Sequence, residues 1–271
     1  PGIAFSKSYN NLNVFGGIHR GFTPPSSGAL KILNFGEGLE DSGLDLDSER
    51  SWNKEFGVRG KSSLIDYELA GFHIDIENLV AAGRGTAFKN LGKVTTQGLE
   101  LRTSFLLSNV FSLLPDIDIS YAFLSTEVKD ATVISNVSGT YGSEVSINGK
   151  ELPYSPDHTV TVGLEYNINS KVNLRGDLRY VSEVYTDFEN IEETDNIGVS
   201  GPIPSYSILN ISGSYQLGAQ LKLFFSGKNI ADEIYIGSRL HSNPGQKEAN
   251  ISSGIIPGPR RQVNLGLEYS F

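Results

Sequence analysis

Apolar and polar residues alternate with a period of two along most of this chain. In the closing stretch RRQVNLGLEYSF, Val263, Leu265, Leu267, Tyr269 and Phe271 form one set, and Gln262, Asn264, Gly266, Glu268 and Ser270 form the other. That period belongs to a β-strand with one oily and one wet face. LKLFFSGKN repeats it with Leu221, Leu223 and Phe225, and YSILNISGSYQL with Leu209, Ile211, Tyr215 and Leu217. KVNLRGDLRYV sets Val172, Leu174, Leu178 and Tyr180 against Asn173, Arg175, Asp177 and Arg179. HTVTVGLEYNI, DIDISYAFL, TTQGLELRTSFLL, SLIDYELAGFHIDI, RSWNKEFGVRG and NLNVFGGIHRGF complete about ten strands, each near the length that crosses a bilayer at a tilt. In SLIDYELAGFHIDI the apolar residues change parity around Gly71, which reads as a β-bulge.

The alternation fits a soluble sandwich as well as a barrel, and the connections separate the two. Short links, NINSK (Asn167 to Lys171) and LGAQ (Leu217 to Gln220), alternate with long polar ones at roughly 23–50, 77–93, 126–156, 183–204 and 230–259. Tight turns at one end and extended loops at the other are the asymmetry of an outer-membrane barrel. Aromatic residues at strand ends (Phe22, Tyr121, Tyr166, Tyr180, Tyr215, Tyr269, Phe271) fit its interfacial girdles. The fold class is therefore all-β, an antiparallel transmembrane β-barrel of the outer-membrane type.

Composition removes several function classes. Lys and Arg total 22 against 31 Asp and Glu, a net charge of −9 that lacks the basic stripe of a nucleic-acid binder. Cysteine is absent, which excludes disulfides, thiolate metal sites and a Cys nucleophile. No apolar run approaches the ~20 residues of a membrane helix. A barrel enzyme needs a His with an acid or a Ser at the rim. His19 and His73 lie singly within strands, His158 follows Asp157 where the pair reads as a turn cap, and His241 lies in a loop. No Gly-x-Ser-x-Gly or His-Glu-x-x-His is present, so the chain does not read as an enzyme. It begins with Pro1 and holds no Met, which reads as a piece of a longer protein.

Several motifs together carry a family resemblance. Asn264, Gly266, Tyr269 and Phe271 resemble the C-terminal signal that the barrel assembly machinery reads on outer-membrane proteins. SGKNIADEIYIGSRL (Ser226 to Leu240) is similar to the N-L-x-D-x-x-Y segment near the end of TonB-dependent outer-membrane receptors. Asn90, Gly92, Gly98 and Glu100 in FKNLGKVTTQGLEL resemble another segment of that family, as do Pro153, Tyr154, Pro156 and His158 in ELPYSPDHTVTVGLEY, and HRGFTPP (His19 to Pro25). They occur in family order over nearly the whole chain, and DEIYIGSRL with GIIPGPRRQ most resembles the ferric dicitrate and siderophore branch. Members have ~22 strands around a plug, more than this length holds. The resemblance thus implies that residues 1–271 are the C-terminal part of the barrel, with the plug and first strands absent. It implies an outer-membrane transporter for a scarce nutrient, such as a ferric siderophore or ferric citrate. Energy would come from the TonB-ExbB-ExbD complex through the missing N-terminal part. No resident cofactor is implied, since iron enters as the transported chelate. A passive porin or structural barrel, or a receptor for cobalamin, haem or glycan, are the alternatives.

Charged residues within strands mark the candidate site. At the midplane of the lipid face each would cost ~2–4 kcal/mol, so they should line the lumen. These are Glu55, Arg59, Glu100, Arg102, Arg175, Asp177 and Arg179, which would contact plug or ligand, or pair with one another. The loops carry acidic runs, Glu37, Glu40, Asp41, Asp45, Asp47 and Glu49 in one and Asp187, Glu189, Glu192, Glu193 and Asp195 in another. Such a rim would repel an anionic chelate and suits divalent cations bridging lipopolysaccharide phosphates. Ligand contact would then fall to arginines such as Arg20, Arg84 and Arg239, or to residues outside this chain. The strands should form one open meander, with the strand near Leu12 to Phe22 unpaired with the last, Gln262 to Phe271. Val160, Leu174, Leu209, Leu223 and Leu265 should share one face, and Arg102, Arg175, Asp177 and Glu268 the other.

Overall fold

The computed structural model describes residues 1–25, 46–82, 88–135, 137, 139–169, 171–196, 198–239 and 254–271. Eleven strands form one antiparallel sheet: β1 (Gly2–Tyr9), β2 (Leu12–Thr23), β3 (Glu49–Lys61), β4 (Ile65–Glu77), β7 (Lys93–Phe105), β8 (Asp116–Asp130), β11 (His158–Ile168), β12 (Val172–Val181), β13 (Tyr206–Gln216), β14 (Leu221–Lys228) and β17 (Gln262–Tyr269). Three two-stranded hairpins lie in the long connections: β5 (Val80–Ala82) with β6 (Phe88–Asn90), β9 (Thr132–Ile134) with β10 (Glu144–Ser146), and β15 (Ile236–Arg239) with β16 (Ile255–Pro257). Every sheet strand pairs with its neighbours along the chain. β1 and β17 are the two edges, and among the described residues they do not pair with each other. Links of two to ten residues (10–11, 62–64, 106–115, 169–171, 217–220) close one end, while the five long connections gather at the other. Asn10 and Asn169 turn two of the tight links with φ of 50° and 56°, a left-handed conformation that Asn tolerates.

The strand register sorts side chains into two faces. Val14, Val58, Leu69, Leu101, Tyr121, Val160 and Tyr180 form one outer row across seven strands, each directly opposite the next. Tyr166, Leu174, Gly213, Phe225 and Leu265 form another. Large apolar side chains on this face stand open, Leu265 at 82% and Val263 at 61% exposure. A soluble monomer does not tolerate so extended an apolar surface. On the opposite, inner face, Asn13, Arg59, Glu68, Arg102, Ser120, Thr161 and Arg179 form a single row.

Above the apolar band, β2 to β8 invert their polarity. The outer row Gly16, Phe56, Gly71, Leu99 and Phe123 is apolar; the next, Ile18, Lys54, His73, Gln97 and Ser125, is largely polar. Beyond it come Arg20, Trp52, Asp75, Thr95 and Glu127. The inner face changes the other way, because Phe72, Ile74, Ile76, Val94 and Val128 point there. Val94 and Val128, at 1% and 0% exposure, pack with Leu91, Ala131, Val133 and Ile147 from the folded-in connections, with Ile76 alongside. Burying each such side chain stabilises by ~1.5–3 kcal/mol, enough to hold these connections against the inner face.

This inversion corrects the reading of Gly71. The pairing Phe56–Gly71–Leu99 runs without a register shift, so no bulge exists there. The apolar residues change face because the strand leaves the bilayer and meets a loop core. The strand count is also corrected from about ten to eleven by β1, whose outer set Ile3, Phe5, Lys7 and Tyr9 is broken by a lysine. Lys7 lies over the Tyr9 ring, 5.7 Å from its centroid, and so reaches the interface near the turn.

Candidate functional site

Neighbouring strands bring the inner-face charges together. Arg59 Nη1 lies 3.7 Å from Glu68 Oε2, and its guanidinium stands 5.3 Å from the Phe15 ring centroid. Arg102 is opposite Glu68 on the far side, so positive and negative groups alternate along that row. Arg175 Nη1 forks between Glu165 Oε2 at 3.4 Å and Asp118 Oδ2 at 3.6 Å. Ser104 Oγ donates to Asp118 at 2.6 Å, Asn173 Nδ2 to Glu165 at 3.2 Å, and Asn210 Nδ2 to Asp177 at 2.8 Å. Glu100 and Glu55 lie on the same face, one and two rows nearer the long loops than Arg102 and Arg59. Arg179 extends the Arg59–Arg102 row. The ion pairs are roughly half exposed, so water screens them and they orient side chains more than they stabilise the sheet. Toward the tight-turn end, Arg59, Lys61, Asp66, Glu68, Arg102 and Ser104 border a groove of 720 Å³. Such a wall offers alternating donors and acceptors to a polar surface or solute. No cluster of three His, Asp or Glu side chains poised for a metal occurs among the described residues.

The three loop arginines fare differently. Arg20 sits in β2, not in a loop, on the outer face, 6.0 Å from the Trp52 ring centroid. It therefore points away from any ligand in the lumen. Arg84 lies outside the described residues. Arg239 is 4% exposed and is a pin between loops. Its Nη1 donates to Gly198 O and its Nη2 to Pro202 O, both at 2.6 Å, while its backbone N–H donates to Tyr154 Oη and its carbonyl accepts from it, both at 3.2 Å. Burial pushes the guanidinium pKa down, and the nearby Asp195, Tyr154 and Asp187 oppose that. Its Nε has no partner among the described residues.

Other contacts join the same loops. Ser135 Oγ donates to Glu189 Oε1 at 2.6 Å, and Asn190 exchanges bonds with the Glu151 backbone at 2.7 and 3.0 Å. Asp187 and Asp195 accept backbone N–H groups within their own loop. Part of the acidic run expected to be a solvated rim is thus structural; Glu37, Glu40, Asp41 and Asp45 of the other run lie outside the described residues. The Asn–x–x–Asp segment is a clasp. Asn229, 3% exposed, donates to Glu233 O and Pro259 O, and Asp232 receives Arg260 Nε at 2.9 Å and Nη2 at 2.6 Å. The Arg260 bonds, with the Arg261 backbone N–H, hold the Asp232 carboxyl well below the usual range. Tyr235 stacks on Tyr206 at 4.4 Å. These roles, like those of Tyr154, Ser135 and Asn190, rest on contacts distant in sequence; only the motif spacing hinted at Asn229 and Asp232.

The remaining candidates fall in strands. His158 opens β11 on the outer face against Tyr121 and Phe123, with Tyr121 Oη 3.1 Å from Nδ1, so it stacks on aromatic rings and is no turn cap. Asn264, Gly266 and Glu268 face inward, whereas Tyr269 and Phe271 meet edge to face at 5.2 Å. Gly266 has no side chain because Phe224 lies across it: a Cβ would come within 2.1 Å of that ring.

An antiparallel meander with an oily outer face, a charged inner face, tight turns at one end and packed loops at the other defines part of an outer-membrane β-barrel wall. A family model described as "TonB dependent receptor-like, beta-barrel" matches residues 3–230, and the chain belongs to that family of outer-membrane transporters and receptors, which is not a family of enzymes. It is 21% identical over 233 residues to the catecholate siderophore receptor Fiu of Escherichia coli K12, covering 84% of this chain and 28% of that receptor. The ferric citrate transporter FecA, unliganded, superposes with a TM-score of 0.72 at 21% identity, covering 98% of this chain and 37% of FecA. The siderophore receptor PiuA of Acinetobacter baumannii gives 0.71 at 16% identity, over 99% and 35%. The chain therefore spans about a third of the length of the relatives it matches.

Proposed function

We propose that the full-length protein is an energised outer-membrane receptor that takes up a ferric chelate, ferric citrate or a related siderophore. The observation that carries this reading is the wall itself: an inner face lined by alternating charges, with long connections at one end that pack on that face and on one another. A receptor needs loops held in fixed positions around a ligand, which a passive pore does not. The siderophore receptors among its relatives support an iron chelate as cargo. The edges β1 and β17 are closed by strands outside this chain, and Glu55, Arg59, Glu100, Arg102, Arg175, Asp177 and Arg179 meet a plug or the passing chelate. Coupling to TonB runs through the part that precedes this chain. The test is uptake of radiolabelled iron, as citrate and as catecholate complexes, by cells with and without the full gene. Uptake of one chelate should depend on the gene and collapse with a protonophore. Gene-dependent uptake that ignores the protonophore would mean a pore.

A further inference from the structure

At the tight-turn end one link departs from the others. The links 10–11, 62–64, 169–171 and 217–220 are short and hold mostly Asn, Ser, Gly and Gln. The link 106–115, LLSNVFSLLP, joins β7 to β8 with no charged residue and with six Leu, Val or Phe side chains. Its backbone is held firmly. Leu107–Asn109 make a 3-10 turn, in which Ser108 donates its N–H to Asp116 Oδ1 at 2.9 Å and its hydroxyl to Asp116 Oδ2 at 3.0 Å. Asn109 Nδ2 donates to Ser63 O at 2.7 Å, and the Leu106 N–H to Leu64 O at 2.8 Å, so the link is tied to its neighbour 62–64. Fixed in this way, it leaves Val110, Phe111, Leu113 and Leu114, with Leu64 of the neighbouring link, 41% to 66% exposed. A turn that lies in water does not hold a cluster of large apolar side chains open.

We propose that the link 106–115 does not enter the periplasm but lies along the membrane plane, with Val110, Phe111, Leu113 and Leu114 inserted among the acyl chains of the periplasmic leaflet. Height and continuity support this. Tyr9, Tyr67, Tyr166, Tyr215 and Tyr269 stand on the outer face at the tight-turn end, where an interfacial girdle sits among head groups. The link leaves β7 after Phe105, two residues past Thr103, which pairs with Tyr67 of that girdle. At its other end Pro115 borders an apolar groove of 500 Å³ on the outer face, with Leu164, Tyr166, Leu174, Ile211 and Phe225. The exposed cluster thus adjoins the lipid-facing band. Its composition argues against a protein partner, because a docking surface carries a polar rim that includes charges, and this link offers only Ser and Asn. The proposal rests on the orientation of the wall, tight links toward the periplasm, and not on what the protein transports.

The test places an environment-sensitive fluorophore on a single cysteine in the full-length protein, freed of any other cysteine, in phosphatidylcholine vesicles. Phe111→Cys and Leu113→Cys probe the link, and Asn11→Cys, in the shortest link of the same end, is the reference. Two quenchers are compared: phosphatidylcholine brominated near the carbonyl end of its acyl chains, and aqueous iodide. Interfacial segments sit ~5–10 Å into the boundary of head groups and acyl chains, so labels at 111 and 113 should lose about half their emission to brominated lipid and little to iodide. The label at 11 should show the reverse. If either apolar variant fails to show heat-modifiable mobility, Ser112→Cys, which replaces an exposed polar residue between them, gives the same reading. Quenching of the link labels by iodide would place the link in water and overturn the proposal. Protection from both quenchers would also overturn it, since the link would then be covered by the plug or by another protein.

Discussion

Arginine at Leu101 should cost the folded barrel about 2–4 kcal/mol, while arginine at Ala122 should cost little. Leu101 stands on the outer face in the row Val14–Val58–Leu69–Leu101–Tyr121. It lies four residues below Gln97, the first polar outer residue of β7, or roughly 10 Å deeper along a tilted strand. A guanidinium there meets acyl chains near the midplane. Ala122 lies across the sheet plane, on the inner face and directly opposite Glu100, so an arginine gains a carboxylate partner and water. The check is urea unfolding of the full-length protein and both variants in lipid vesicles. Similar costs for the two variants would mean that the faces are misassigned.

Replacing Arg239 with Met should loosen the loops by on the order of 3 kcal/mol and leave the sheet intact. The aliphatic chain fills much of the space, but Gly198 O and Pro202 O lose the two charged donors they have at 2.6 Å. Arg239→Lys should recover only part of the loss, since a single ammonium cannot reach as a planar fork does. Hydrogen exchange should rise in residues 198–203 and 236–239 and stay unchanged in β12 and β13. Unaltered exchange in those loops would remove Arg239 from the role of a pin. That role leaves Arg239 little freedom to reach a ligand: the side chain is buried and both Nη atoms donate to backbone carbonyls of a neighbouring loop.

What the sequence makes legible here is the part set by local periodicity. Ten of the eleven sheet strands, the tight and long links, and the parity of Arg59, Arg102, Arg175 and Asp177 all follow from a period of two. β1 escapes because Lys7 interrupts an oily set that is only four residues long. Gly71 misleads because a change of parity has two causes: a backbone insertion, or a strand that passes from lipid to water while its inner face meets a new core. Only the partners Leu91, Ala131 and Ile147, distant along the chain, distinguish them. Arg20 and Arg239 are misjudged for the same reason. A sequence places each near a loop, but the cross-strand neighbour Trp52 and the loop partner Gly198 decide where each side chain goes.

The inversion of polarity along β4 and β7 fixes where the wall leaves the bilayer. The chain holds no cysteine, so single cysteines introduced here can be spin-labelled one at a time in bilayers, in a full-length protein from which any cysteine outside this chain has been removed. Collision with lipid-soluble oxygen should dominate at Leu69, Gly71, Leu99 and Leu101, and collision with a water-soluble nickel chelate at His73, Asp75, Thr95 and Gln97, all on the same outer face. Phe72 and Ile74, on the inner face, should meet lipid-soluble oxygen far less often than Leu69 and Leu101 do. Oxygen-dominated collisions at Phe72 and Ile74, with Leu69 shielded, would mean a register break at Gly71 and would contradict the account.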